Sequence, residues 1–332
     1  MIINYGTPRS SSRRDVARYL RVLLDNNHLM TMNRVGRWVL VNCIIAPFRS
    51  GRSSKLYARL SKGGEMPLNT HTRDFAAKLQ SRLGSRADVH TAMTSGDNYV
   101  KDVIAKVLEM NYSRIVVAPM FPQCTESTWG ASLDALFKAL CGGLNVPPVR
   151  VIEPFYDDGH YLEAVCGIVA EQMRLMPDYE RIVCSYHGIP VKHTQIAHPG
   201  HTCQELGCGS HVDGSNYKCY LAQCNEQTRR MAKILGVPEE KCLTTFQSRL
   251  TDRWIQPFTD TEVRRLAAEG VKKLIVATPS FTVDCLETIV EIDSTLRETF
   301  MQCGGEKFAT APCLNSSDVW VDNFCKILEK SF

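Results

Sequence analysis

Short β-branched runs that end in a Gly, Pro or Ser turn and feed into a helical pattern recur along the whole chain. No other feature restricts its fold as much. MIINYGTP is followed by SSRRDVARYLRVLL, RIVVAPMFPQ by TESTWGASLDALFKAL, RIVCSYHGIP begins a second series, and KKLIVATPSF leads into TVDCLETIVEIDSTLRETF. Apolar strands alternating with amphipathic helices imply parallel sheets covered on both faces, so the fold class is α/β. The segment CGGLNVPPVRVIEPFYDD breaks the rhythm near residue 145. This divides the chain into an N-terminal domain over 1–145 and a C-terminal domain over 146–310. The remainder, 311–332, reads as a helix opened by a Ser/Asp cap that packs back across the boundary. With 332 residues and 44% hydrophobic content the chain can bury two cores of this kind.

Composition removes several function classes. Lys and Arg number 39 against 35 Asp and Glu, a formal charge of +4, too small and too dispersed for a nucleic-acid footprint. MIINYGTPRS has no basic flank followed by a long apolar run, so no secretory leader is expected. The longest apolar segment, WVLVNCIIAPF, covers about eleven residues where a bilayer span needs roughly 20. The expected location is the cytoplasm, with peripheral contact on the inner face of the membrane as the closest approach to a bilayer. Neither GxGxxG nor GxxxxGK[ST] occurs, so a nucleotide-phosphate site of the familiar kinds is unsupported.

Cysteine is over-represented at 14. Ten, among them Cys43, Cys166 and Cys325, sit among apolar neighbours and read as small buried hydrophobes. The other four, Cys203, Cys208, Cys219 and Cys224, crowd into HTCQELGCGSHVDGSNYKCYLAQC with spacing C-x4-C-x10-C-x4-C. Four thiolates in a Gly-rich loop suit an iron–sulfur cluster or tetrahedral zinc. The spacing is neither a double CxxC nor a ferredoxin run, so iron–sulfur, zinc and a metal-free loop all stay open, iron–sulfur first. His201 and His211 lie within the loop as substitute ligands.

In open α/β sheets ligands bind beyond the carboxyl ends of the strands, and the unusual loops YGTP, MTSGD, PMFPQCTEST, SYHGIP, TFQSR and TPSFTVDCLE follow strands. His187 in SYHGIP can accept a proton or bind a metal ion near neutral pH, with Gly188 and Pro190 stiffening its loop. A satisfied structural histidine is the competing reading. Asp284, Glu287 and Glu291 are spaced i, i+3, i+7, which lines them along one face of a helix. If buried, neighbouring carboxyls raise at least one pKa and can pass protons or grip a cation; a solvated helix face is the alternative. MNRVGRWVLVNCIIAPFRSGRSSKLYARL sets Arg34, Arg37, Arg49, Arg52, Lys55 and Arg59 around an apolar body. That suits an anionic, planar, greasy ligand or an acidic membrane surface, and an ordinary amphipathic helix equally.

NYGTP, PMFPQCTESTWGASL, VIEPFYDDGHYLEA, SYHGIP, TTFQSRLTDRWIQPFTD, GVKKLIVATPSFTVDCLETIVEID and CLNSSDVW, in this order through nearly the whole chain, closely resemble ferrochelatase, which inserts ferrous iron into a porphyrin at the end of haem synthesis. The resemblance implies two Rossmann-like domains, each with a parallel four-stranded sheet flanked by helices, and a porphyrin cleft between them. It implies that His187 and Glu287 face each other across the porphyrin, that Glu291 continues an acidic path outward, and that residues 30–60 form the lip of the pocket. His187 would accept a pyrrole proton, while Glu287 and Glu291 relay protons or guide iron. Tyr5, Thr7, Pro8, Arg34, Arg49, Arg52, Gln123, Ser127, Thr128, Trp129, Tyr186 and Phe281 are the expected pocket residues. Tyr5 joins His187 and Glu287 as a third iron-side ligand, because some bacterial members carry a tyrosine there.

The cysteine loop, about 198–225, resembles the insertion of bacterial ferrochelatases that hold a [2Fe–2S] cluster, which would make Cys203, Cys208, Cys219 and Cys224 its ligands. The chain departs from the family at Thr94-Ser95, where members commonly carry an arginine followed by an aromatic, and at Cys124, where they usually have tyrosine. The lost cation leaves protoporphyrin IX and coproporphyrin III both open as substrates, with Arg34, Arg49 or Arg52 available to replace it. A cobalt or nickel tetrapyrrole chelatase and a non-catalytic haem or porphyrin carrier are the alternatives. The expected partners are porphyrin and ferrous iron, with no nucleic acid, and the chain is either a monomer or a homodimer.

Overall fold

The computed structural model describes residues 1–143 and 145–332, so Leu144, in the segment expected to divide the domains, lies outside the described residues. The chain separates into two compact units, Met1–Phe121 with Glu126–Glu153 and Ser316–Phe332, and Pro122–Thr125 with Pro154–Asn315.

The first unit runs β1 (Ile2–Asn4), α1 (Arg13–Leu24), α2 (Arg34–Val39), a π-helical segment (Leu40–Ile45), α3 (Ala46–Ser61), α4 (Pro67–Leu83), β2 (Thr91–Met93), α5 (Val100–Glu109), β3 (Ile115–Pro119), a second π-helical segment (Glu126–Gly130), α6 (Ala131–Leu140) and β4 (Val149–Val151). Its sheet has the order β2-β1-β3-β4, all parallel, with Ile2 opposite Thr91 and Ala118, and Ile115 opposite Val149. Ile3, Ala92 and Val117 from the strands meet Val100, Ile104, Leu136 and Leu140 from α5 and α6 in one core. Each of the Val, Ile and Leu side chains contributes roughly 1.5–3 kcal/mol on burial. The division falls after Glu153 rather than near residue 145, because β4 pairs with β3 and so completes the first sheet.

The second unit runs α7 (Gly159–Leu175), β5 (Arg181–His187), α8 (Val191–Ala197), α9 (Tyr220–Leu235), β6 (Cys242–Gln247), α10 (Thr259–Ala268), β7 (Lys273–Ala277), a third π-helical segment (Glu287–Leu296), α11 (Arg297–Gln302) and β8 (Lys307–Thr310). Its sheet repeats the same plan as β6-β5-β7-β8, again parallel. Val183, Leu274, Val276 and Phe308 pack with Val263, Leu266, Ile292 and Phe300. In each sheet the strand order reverses once, between β1 and β3 and between β5 and β7. Crevices for ligands open at such switch points, beyond the carboxyl ends of the strands.

The last helix, α12 (Asp318–Glu329), belongs to the first unit. Trp320 stacks on Phe75 of α4 at 6.0 Å, and Arg82 binds Asp318 at 3.2 Å and Asp322 at 2.8 Å. Most of the scattered cysteines are buried as expected, but Cys43 and Cys141 are exposed. Among the described residues no helix is long and apolar enough to cross a membrane.

Candidate active site and metal centre

β5 is buried from Ile182 to Tyr186, and its last residue, His187, is half-buried. The strand stops there because Gly188 turns the chain against the end of β6. The Gly188 N–H donates to the Gln247 carbonyl at 2.8 Å, and a Cβ on Gly188 would lie 2.8 Å from that same oxygen. His187 Nδ1 sits 2.6 Å from the Gly188 carbonyl and donates to it, which leaves the imidazole lone pair on Nε2. The Trp254 and Phe281 rings stand 6.3 and 6.1 Å from the imidazole. Behind it, the Tyr220 hydroxyl lies 2.8 Å from both the His187 carbonyl and Ser280 Oγ.

Gln247 connects this histidine to the acidic segment. It is paired with His187 in the sheet register, and its side-chain Nε2 donates to the Glu287 backbone carbonyl at 3.1 Å. Its Oε1 accepts from Ser185 Oγ at 2.7 Å, so the amide is held at both ends. The next residue, Ser248, has a left-handed backbone (φ 61°), a conformation costly for a residue with a Cβ, and its Oγ donates to Glu291 Oε2 at 2.5 Å. Burial, with the like charge of Glu287 added to it, pushes the Glu291 carboxyl up to about 7. Such a carboxyl gains and loses a proton near neutrality.

Asp284 is not on the helical face with these two. It precedes the π-helical segment, accepts from Thr288 Oγ1 at 2.9 Å and from Asn315 Nδ2 at 2.7 Å, and so pins the loop after β7. Gln123 is buried, donating to the Gln227 side chain and to the Pro279 carbonyl, and Tyr186 is fully buried with its hydroxyl 2.9 Å from Thr228 Oγ1. Both expected pocket residues are therefore internal polar anchors of the second unit.

In the first unit Tyr5 follows β1, meets Phe121 edge-on at 5.1 Å, and donates its hydroxyl to the Ser127 carbonyl. Ser127 and Thr128 are half-buried in the second π-helical segment; Trp129 is buried and donates to the Phe121 carbonyl at 2.9 Å. Thr7 and Pro8 are buried. Arg34, Arg49 and Arg52 are exposed, as are Val35, Trp38 and Phe48, at 74%, 55% and 80%. Arg37 is instead buried and hydrogen-bonded to Asp25, Asn27 and the Met32 carbonyl, closing the preceding loop.

The loop between α8 and α9 carries a second constellation. One donor atom from each of His198, Cys203, Cys208 and Cys219 lies within 4.8 Å of the others, a set able to hold a metal ion. Cys203 Sγ is 3.7 Å from Cys219 Sγ and 3.4 Å from His198 Nε2, and Cys208 Sγ is 3.9 Å from that nitrogen. Cys224, expected as the fourth thiolate, is outside this group, and His198 stands in its place. The reason is helical phase. Cys219 caps α9, and five residues further on a side chain has turned by roughly 140°, which drives Cys224 into the core, fully buried, its thiol pushed well above the ordinary value. His201 and His211 are exposed and outside the group. His198 had a signal: the five-residue step from Cys203 to Cys208 extends backwards to it.

A model of the ferrochelatase family matches residues 1–332. The chain belongs to the ferrochelatase family. It is 32% identical over 333 residues to a ferrochelatase of Herminiimonas arsenicoxydans, covering 99% of this chain and 85% of that protein. It is 33% identical over 343 residues to a ferrochelatase of Coxiella burnetii, strain CbuG_Q212, covering 100% and 93%. With the ferrochelatase of Opitutus terrae it shares 34% over 328 residues, covering 97% and 94%. Among solved structures, the sirohydrochlorin chelatase SirB from Bacillus subtilis subspecies spizizenii in complex with cobalt has the same fold, with a TM-score of 0.50 at 9% identity, covering 79% of this chain and 89% of that one. The protein is thus a ferrochelatase-family enzyme, a chelatase acting on a porphyrin.

Thr94 and Ser95 hold the loop after β1. Ser95 donates to the Tyr5 carbonyl from its N–H at 2.9 Å and its Oγ at 2.6 Å, and Thr94 Oγ1 adds a third bond at 3.2 Å. Gly6 (φ 91°) passes so close that a Cβ there would lie 1.8 Å from the Ser95 carbonyl oxygen. Thr94 and Ser95 are buried and clamp the loop after β1, and neither carries a cation.

Proposed function

We propose that the protein inserts Fe2+ into protoporphyrin IX or coproporphyrin III, releasing two protons per metal. The observation that carries this reading is the Gln247 link, which ties a histidine with its Nε2 lone pair free to an acidic segment whose Glu291 titrates near neutrality. A free porphyrin carries two protonated pyrrole nitrogens, and both must lose their protons as the metal enters. His187 Nε2 accepts one, acting as the general base. Glu287 steers the cation, and Glu291 carries protons away, because its carboxyl is neither fully ionised nor fully protonated at that pH. Phe281 and Trp254 give the imidazole an apolar surround suited to a flat macrocycle.

On the first unit, Arg34, Arg49 and Arg52 beside Trp38 and Phe48 suit an apolar ligand edged with carboxylates, with Tyr5, Thr7, Pro8, Ser127, Thr128 and Trp129 shaping the loops after β1 and β3. Metal insertion involves no net electron transfer, so a metal in the α8–α9 loop, as a [2Fe–2S] cluster or otherwise, has a structural task rather than a step in the reaction. The test is an anaerobic assay of the purified protein with ferrous iron and each porphyrin in turn. Metallated product with one or both is expected, and no product with either would reject the proposal.

A further inference from the structure

We propose that the α8–α9 loop holds one tetrahedral Zn2+ ion through His198 Nε2 and the thiolates of Cys203, Cys208 and Cys219. Zinc–sulfur bonds of about 2.3 Å and zinc–nitrogen bonds of about 2.0–2.1 Å give tetrahedral edges of roughly 3.5–3.8 Å. The separations of 3.4, 3.7 and 3.9 Å between donors lie within about 0.1 Å of that range. Two irons side by side would hold their ligands as two separated pairs, an elongated set, whereas these four donors form one compact group. The composition agrees. Two-iron clusters most often take four cysteines, while three cysteines and one histidine are a common set for structural zinc.

The surroundings prepare His198 as a ligand. Its ring is buried, and Nδ1 sits 3.0 Å from the His201 carbonyl, to which it donates. That second bond fixes the tautomer with the lone pair on Nε2, the arrangement found around metal-bound histidines. Cys219 caps α9, so the helix dipole favours the extra negative charge of three thiolates around a divalent ion. Between Ala197 and Tyr220 the chain has no helix or strand among the described residues. Its local core is small, Cys208, Cys219 and Ala222 with Cys203, Leu206, Val212 and Leu221 at the margin. A loop with so little apolar surface to bury gains its shape from a metal. Asn216, which donates to the Leu206 and His211 carbonyls, and Arg229, which donates to the Gly209 carbonyl, tie the rest of it down.

The proposal is independent of the iron-insertion reading, since its readouts are metal content and coordination. The full-length protein, purified anaerobically without chelators from cells supplied with iron and zinc, is analysed for zinc, iron and acid-labile sulfide, and by X-ray absorption at the zinc edge. One zinc per chain with three sulfur and one nitrogen neighbours is expected, and the sulfur shell separates this ion from zinc bound adventitiously at His187. His198→Ala and Cys219→Ser should lower zinc content about tenfold, and Cys224→Ala should leave it unchanged. Two irons with two sulfides per chain, one iron without sulfide, a metal-free protein, or zinc without sulfur neighbours would each overturn the assignment, and the wild-type spectrum decides even if a variant fails to fold.

Discussion

The side-chain amide of Gln247 donates to the backbone carbonyl of Glu287 at 3.1 Å. The backbone carbonyl of the same glutamine receives the Gly188 N–H, so one residue at the end of β6 sets the spacing between the histidine loop and the acidic segment. No chemistry is asked of Gln247 itself; it positions groups that have some.

Replacing Gln247 by Leu keeps the volume and removes both side-chain bonds. Ser185 retains its contact with Thr259 Oγ1 at 2.8 Å, so the stability loss should be modest, about 1–2 kcal/mol. Chelatase turnover should fall by about tenfold or more with little change in the KM for porphyrin, because the displaced groups act on the protons rather than on macrocycle binding. Steady-state kinetics beside urea unfolding checks both numbers. Unchanged turnover would remove Gln247 from the positioning role.

His187→Ala should reduce metal insertion by about 10²–10⁴-fold, the usual worth of a general base. The side chain is half-buried and its Nδ1 bond reaches only the adjacent carbonyl, so the fold should survive. Porphyrin binding followed by fluorescence should persist in the variant. A variant that retains full activity would place the proton acceptor elsewhere.

Glu291 makes stability depend on pH in a stated direction. Its folded-state pKa, about 7, lies above the ordinary 4.5, so the folded state prefers the protonated form. The associated stability is fully present below about pH 4.5 and is lost as pH rises through about 7, an effect on the order of 3 kcal/mol before any relaxation of the site. Glu291→Gln cannot ionise. It should therefore be more stable than the parent at pH 8 and equal to it near pH 4.5, as read by urea unfolding at the two pH values. It should also lose whatever part of the activity profile turns over near pH 7.

Much of this was legible in the sequence because it is periodic. Parallel strands buried on both faces announce themselves as apolar runs, and the α/β class follows from them; four strands in each sheet came from the family resemblance. The Glu287 and Glu291 pairing was legible for the same reason, since four residues bring side chains together along a helical segment. What was hidden depends on phase and on backbone partners. Asp284 drops out of the acidic face because the segment begins only at Glu287. Cys224 leaves the metal group because Cys219 is the cap of α9, and a shift of one or two residues in the helix start would have turned it elsewhere. Tyr186 is buried because it precedes the strand's last residue, and Gln247 carries no signature because its role is to bond main chain.

If a metal organises the α8–α9 loop, removing it should loosen that loop before the rest of the protein. Lys218 is exposed and directly precedes Cys219, so trypsin should cut there rapidly after treatment with a strong chelator and slowly before it. Mass spectrometry of the first fragments measures this. Cleavage at Lys218 that ignores the chelator would show that the loop holds its shape without a metal.

Phe48 is 80% exposed on α3, with Arg49 and Arg52 following it and Trp38 exposed on α2. A large apolar side chain held in water contributes little to folding, so Phe48→Ser should alter unfolding free energy by no more than about 0.5 kcal/mol. If this surface receives the porphyrin, the same change should raise the KM for porphyrin several-fold, and Arg49→Glu should do so more strongly for coproporphyrin III, which carries more carboxylates than protoporphyrin IX. Kinetics with both porphyrins separates the apolar contribution from the ionic one. An unchanged KM in both variants would assign these side chains to something other than substrate binding.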